Sequence, residues 1–205
     1  MSGAAFTSFS VNITTQPGDL LVAFCRESSN GTDNFTVTDS AGQTWTQTAS
    51  GYSNISGTGP RSGMFYVANS APLTSVTVNY STPGGAIKPG IMVMEVSGAA
   101  SSGVADGSVN NASGAAALAS SSKSLSTTSA NDILIFATDT GNNETGWTAG
   151  TGYAIPNNNL APGASGSNVR MAMQYAVVSS AQANTTTSIT YANSAWNGNI
   201  FAAFK

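Results

Sequence analysis

Apolar and polar side chains alternate with a period of two along most of this chain. Residues 9–13, 35–38, 76–80 and 189–191 each put Phe, Val, Ile or Tyr on one side and Ser, Thr or Asn on the other. That is the pattern of a strand with one buried face. Residues 20–25, 91–96, 133–137 and 200–204 are instead almost wholly apolar, and they predict central strands covered on both sides. Pro17-Gly18, Asn30-Gly31, Ala41-Gly42, Pro83-Gly84, Pro89-Gly90 and Pro162-Gly163 punctuate these runs as turns, because Pro presets φ and Gly admits positive φ. No segment carries a sustained helical stripe. Residues 115–119 are the best local helix former, but Gly114 precedes them and a serine tract follows, so a short turn or loop is expected. Residues 97–123 have the lowest complexity and read as a connection.

The series of elements occurs twice. Asp19-Leu-Leu-Val-Ala-Phe24 is echoed by Asp132-Ile-Leu-Ile-Phe-Ala137. Trp45 with Gly51-Tyr52 is echoed by Trp147 with Gly152-Tyr153, and Met64-Phe-Tyr66 by Met173-Gln-Tyr175. Residues 75–80 match 188–191, and 91–96 match 200–204, in the same order. One copy alone would leave an oily sheet face in water. The expected fold is therefore all-β: one domain over 1–205, a two-sheet antiparallel β-sandwich of jelly-roll or Greek-key type. Its pseudo-repeated halves, about 6–98 and 124–205, are joined by the Ser/Ala/Gly-rich connection 99–123.

Composition narrows the chemistry. Only 7% of the 205 residues are charged and His is absent, which excludes Ser-His-Asp and Cys-His catalysis and histidine-ligated metals. Net charge −3 with six scattered cations argues against nucleic acid and anionic membranes as partners. Cys25 lies inside an apolar run and reads as a buried, inert thiol. No apolar run reaches the roughly 18 residues of a membrane span. Residues 1–6 lack the cationic and apolar regions of a signal peptide. Yet the hydroxyl- and amide-rich composition suits an extracellular setting. Either a leader has been removed, or the protein leaves its host by lysis, as virion proteins do.

The Gly18-Asp19-Leu20-Leu21-Val22 strand start, the Asp39-Ser-Ala-Gly-Gln-Thr-Trp45 turn, the Glu95-Val-Ser-Gly98 strand end and the terminal Ala202-Ala-Phe-Lys205 carry a resemblance. Over nearly the whole length the chain resembles jelly-roll-like β-sandwich domains of bacterial secreted surface proteins and of phage virion proteins. The resemblance implies adhesion, glycan binding or decoration of surfaces, and it supplies no catalytic signature.

The charged residues, fifteen in all, are few enough to weigh by position. Asp19 and Asp132 sit before core strands and suit turn or cap roles, and Asp39 suits an Asx-turn. Asp106 falls in the connection, and Lys123 and Lys205 read as solvated. Glu27, Asp33, Asp139 and Glu144 fall in two equivalent loops whose carboxylates, amides and hydroxyls are candidate calcium ligands, with solvated loops as the plainer reading. Their spacing is not that of an EF-hand. No other cofactor is expected. Glu95 interrupts an apolar strand and needs an edge position or a partner such as Arg61, Lys88 or Arg170. For glycoside hydrolysis it would need a second carboxylate, Glu27 or Glu144, at about 5–10 Å.

Sugars stack on Trp and Tyr while amides meet their hydroxyls. Trp45 and Trp147 suit core packing. Tyr52, Tyr153 and Trp196, flanked by Gly, Ser and Asn, are the candidate exposed platforms, and Asn197 is a candidate amide beside Trp196. These residues point first to a non-catalytic, extracellular surface-binding module for polysaccharide or glycan. A structural virion subunit, decoration or fibre, forming a homo-oligomer through wide polar contacts is the alternative. A polysaccharide hydrolase or lyase is third.

Overall fold

The computed structural model describes residues 6–28, 33–55, 61–81, 88–144, 146–156 and 170–205. The turn signals at Asn30-Gly31, Pro83-Gly84 and Pro162-Gly163 lie outside them. Twelve strands are present among the described residues: β1 Ser8–Asn12, β2 Leu20–Glu27, β3 Phe35–Asp39, β4 Thr46–Gln47, β5 Ser53–Asn54, β6 Arg61–Val67, β7 Ser75–Tyr80, β8 Gly90–Val96, β9 Ala105–Ser121, β10 Ile133–Thr140, β11 Met171–Val177 and β12 Ser188–Phe204. No described residue is helical.

The strands form three antiparallel sheets, in the orders β1-β7-β3, β4-β6-β2-β8 and β11-β10-β12-β9, with β5 also paired to β6. The burial of β2 explains its unbroken apolar run. Leu20, Val22 and Phe24 meet Ile135, Ala137, Met173, Ile200, Ala202 and Phe204 of the third sheet in one cluster. Leu21, Ala23 and Cys25 point the other way, onto Phe35, Val37, Val76 and Val78 of the first sheet. The β2 sheet is thus a middle layer, and both faces of its central strand must be oily. Strand β10 repeats the device, with Leu134 and Phe136 covered by Leu125, Ile189 and the half-buried Trp147 and Tyr153. Strand β8, also read as central, is an edge strand with several half-exposed positions. Burial pushes the Cys25 thiol far above its ordinary range, as expected of an inert cysteine.

The expected connection 99–123 is the clearest departure from the sequence reading. Most of it is β9, a 17-residue edge strand paired antiparallel to β12 with three register irregularities. Its Ser, Asn, Ala and Gly side chains show no apolar alternation, so its order comes from backbone pairing with β12. Strand β9 also reaches the first half. Ser53 Oγ donates to Asn111 O at 2.7 Å, and Asn110 Nδ2 donates to Tyr52 O at 2.8 Å.

Asp106, at the start of β9, is an anchor. Its carboxylate accepts from Thr128 N at 2.8 Å, Thr128 Oγ1 at 2.5 Å and Ser129 N at 2.7 Å, just before β10. Burial works against its charge, but these donors win and hold its carboxyl down at about 2. Burial keeps the neighbouring Asp132 above the ordinary range, Thr127 offsetting part of this and Asp106 adding to it. A depressed folded-state pKa stabilises above the unfolded carboxylate value and is lost as pH falls through the folded one. Asp106→Asn is therefore expected to flatten the fall in melting temperature between pH 4 and pH 2. Asp132→Asn is expected to raise melting temperature at pH 7. Calorimetry from pH 2 to pH 7 checks both.

Candidate functional site

Strands β2 and β10 end, and β6, β8 and β11 begin, at one common end of the stacked sheets. This end carries Arg26, Glu27, Arg61, Lys88, Asp139, Glu144 and Arg170. Its centre is an ion pair between the two larger sheets. Arg26 Nε of β2 lies 3.3 Å from Asp139 Oδ2 of β10, and both side chains are almost wholly buried. Arg26 also donates from Nη1 to Lys88 O at 2.8 Å and from Nη2 to Ser28 Oγ at 2.5 Å. Asp139 Oδ1 accepts from Ser62 Oγ at 3.2 Å, and the Gly198 N–H also supports the carboxylate. Burial outweighs Arg26 and these donors, and raises the Asp139 carboxyl above its usual range.

Each of the four proposed calcium ligands is engaged within the protein. Asp139 belongs to Arg26, Asp33 accepts from Ser81 Oγ at 2.8 Å, and Glu144 accepts from Asn193 N at 2.8 Å. Glu27 lies directly across from Arg61 in the β2–β6 register. Among the described residues no three His, Cys, Asp or Glu side chains converge on a point that could hold a metal ion. Glu95 is at the far end of the middle sheet. It pairs with Leu21, six positions along β2 from Glu27, a separation of about 20 Å at roughly 3.3 Å per residue. Its partner is the Gln16 N–H at 2.5 Å, so the Glu27–Glu95 carboxylate pair is not assembled.

The aromatic candidates divide. Trp196 is half-buried at this same end. Its ring crosses the backbone at Gly141, where a Cβ would fall 2.6 Å from the indole, so only glycine admits it. Exposed Asn142, Asn143, Asn193 and Ser194 border it. Asn142 Nδ2 donates to Ser194 O at 2.7 Å, and Asn193 Nδ2 to Asn143 O at 2.9 Å. These bonds clamp the turn after β10 to β12 beneath the ring. Asn197 does not face outward with its neighbour. It is buried, donating to Tyr191 OH at 3.1 Å and accepting from Asn199 Nδ2 at 2.7 Å, because alternation along β12 turns it inward.

Tyr52 is half-buried. Its hydroxyl accepts from Phe35 N at 2.8 Å, and the Arg61 guanidinium covers its ring at 3.9 Å. Tyr153 packs edge-on against Phe201 on the outer face of the third sheet, and burial pushes its hydroxyl up to about 12. Trp45 and Trp147 lean on core clusters, Trp45 also donating to Asp39 Oδ2 at 2.8 Å. Of the aromatic candidates, the structure brings Trp196 and Tyr52 to the charged end and leaves Tyr153 elsewhere.

Sequence reading missed a cleft at the opposite end of β6. It measures about 420 Å³ and is lined by Thr44, Thr46, Tyr66, Ala68 and residues 103–105, with no charged side chain. The Tyr66 ring rests edge-on against Phe204 at 5.4 Å. The echo of Tyr66 in Tyr175 was its one trace in the sequence. Comparison with family models, with curated proteins and with solved structures finds no match to this chain. The fold itself defines the class: an all-β protein of stacked antiparallel sheets.

Proposed function

We propose that this chain is a non-catalytic, extracellular surface-binding module that recognises carbohydrate. Its body is read as a jelly-roll-like sandwich of two repeated halves, supported by the shared orders β6-β2-β8 and β11-β10-β12. The observation that carries the binding reading is the Trp196 shelf: a half-buried indole held over Gly141, with the exposed amides of Asn142, Asn143 and Asn193 on the adjoining turns. A pyranose ring stacks its C–H face on such a surface and meets amides at its rim. Tryptophan-fluorescence titration against plant, bacterial and host glycans tests this. Trp196→Ala is expected to weaken binding at least tenfold while the circular dichroism spectrum is retained. Unchanged affinity in that variant, or no binding to any glycan, overturns the proposal.

A second reading, a subunit of a virion-type assembly, is supported by the sheet edges. The exposed large apolar side chains Phe9, Leu118 and Val177 lie on β1, β9 and β11, each at the edge of its sheet. Edge strands offer unpaired backbone groups to another copy. Light scattering over a range of concentrations tests it: a strict monomer counts against assembly, a symmetric oligomer for it.

A further inference from the structure

We propose that the ligand of the Trp196 shelf is an acidic glycan, and that Lys88 and Arg170 hold its anionic substituent. This rests on the carbohydrate reading above. The inference comes from how charge is layered at this end. Glu27, Asp33, Asp139 and Glu144 are all buried there, whereas Lys88 is exposed and Arg61 and Arg170 are half-exposed. The four acids and Arg26 lie beneath, and the other three cations lie nearer the solvent.

Lys88 and Arg170 are brought together by packing. Gly90, two residues after Lys88, has no side chain because Met171 Sδ would lie 2.5 Å from its Cβ, and Met171 directly follows Arg170. Strands β8 and β11 thus touch across the two sheets and set the two cations side by side. Lys88 is fixed there in left-handed backbone geometry, φ 52°, with Arg26 Nη1 on its carbonyl. That conformation is unfavourable for lysine, so the fold holds this cation in place at a cost. The influences on the Lys88 ammonium are like charge from Arg170, then burial, then Arg26, all disfavouring its charged form. An incoming anion relieves that repulsion.

Arg170 and the shelf flank the same turn: Thr140 N donates to Arg170 O at 2.8 Å, and the next N–H, Gly141, donates to Trp196 O at 2.9 Å. Arg170 Nε is buried and has no hydrogen-bond partner. A carboxylate or sulfate on a sugar stacked against Trp196 meets the outward-facing Lys88 and Arg170.

Isothermal titration with polygalacturonate, its fully methyl-esterified form, dextran sulfate, dextran and polyglutamate separates the possibilities, at 50 mM and 200 mM salt. Tighter binding of polygalacturonate or dextran sulfate than of their neutral counterparts by tenfold or more, weakening with salt, is expected. Preference between those two identifies carboxylate or sulfate as the group held. Lys88→Asn with Arg170→Gln should abolish the preference, because asparagine tolerates the left-handed backbone. Unchanged circular dichroism and melting temperature show that the double variant is folded. If neutral polymers bind as well as acidic ones, or the double variant keeps the preference, the anion proposal fails while the carbohydrate reading stands. Equal binding of polyglutamate overturns the sugar requirement. Absence of binding to every polymer overturns both.

Discussion

Asp139→Ala is expected to destabilise the protein by about 3–5 kcal/mol, the usual cost of stranding one member of a buried ion pair. The change leaves the Arg26 guanidinium between two sheets with its Nε donor unmatched, and also removes the acceptor of Ser62 Oγ. Asp139→Asn keeps the shape but not the charge and should recover part of the loss. The informative variant is the double one, Arg26→Met with Asp139→Leu. Two apolar side chains of similar bulk avoid the cost of taking charges out of water, so the double change should cost much less than the sum of the single ones. Urea denaturation followed by tryptophan fluorescence measures these variants together with the single changes Arg26→Met and Asp139→Leu. A double variant as unstable as the sum would mean that the pair itself contributes nothing to the coupling between sheets. The burial that raises the Asp139 carboxyl supports this view: the pair fixes how the β2 and β10 sheets sit on each other more than it adds net stability.

Phe204→Ala should cost a similar amount, about 3–5 kcal/mol for a fully buried phenylalanine. Phe204 is the last strand residue of the chain and has no solvent exposure. It packs with Leu20, Val22 and Ile135 between the two larger sheets and supports the Tyr66 ring at the cleft. Truncation opens a cavity that cannot readily collapse, since β12 itself is held by β10 on one side and β9 on the other. The melting temperature, followed by circular dichroism, should fall by on the order of 10 °C. Phe204→Leu keeps most of the volume and should cost under about 2 kcal/mol. A near-neutral Phe204→Ala would show that the C-terminal strand end is not part of the main core.

Most strands were legible because burial on one or both faces leaves a mark in composition. The alternation at 76–80 and the solid apolar runs at 20–25 and 133–137 became β7, β2 and β10 with small boundary shifts. Strand β9 was not legible. Its side chains are small and polar, and its partner supplies backbone hydrogen bonds, which leave no side-chain signature. Asn197 was misplaced for a related reason. It sits in a Gly/Asn-rich stretch that looks like a loop, but β12 continues through it and its parity points inward. Trp196, one position earlier, has the opposite parity and reaches the surface.

The sequence by itself determined the all-β class, the burial of Cys25 and the exclusion of imidazole chemistry. Each follows from local period or from composition, properties that belong to the chain in any conformation. The tertiary structure alone decided which charges meet. Arg26 and Asp139 are 113 positions apart, and Lys88 and Arg170 become neighbours only where β8 touches β11. Such pairings depend on which sheet covers which, and a charged residue at a strand end carries no local record of the sheet that will lie across it.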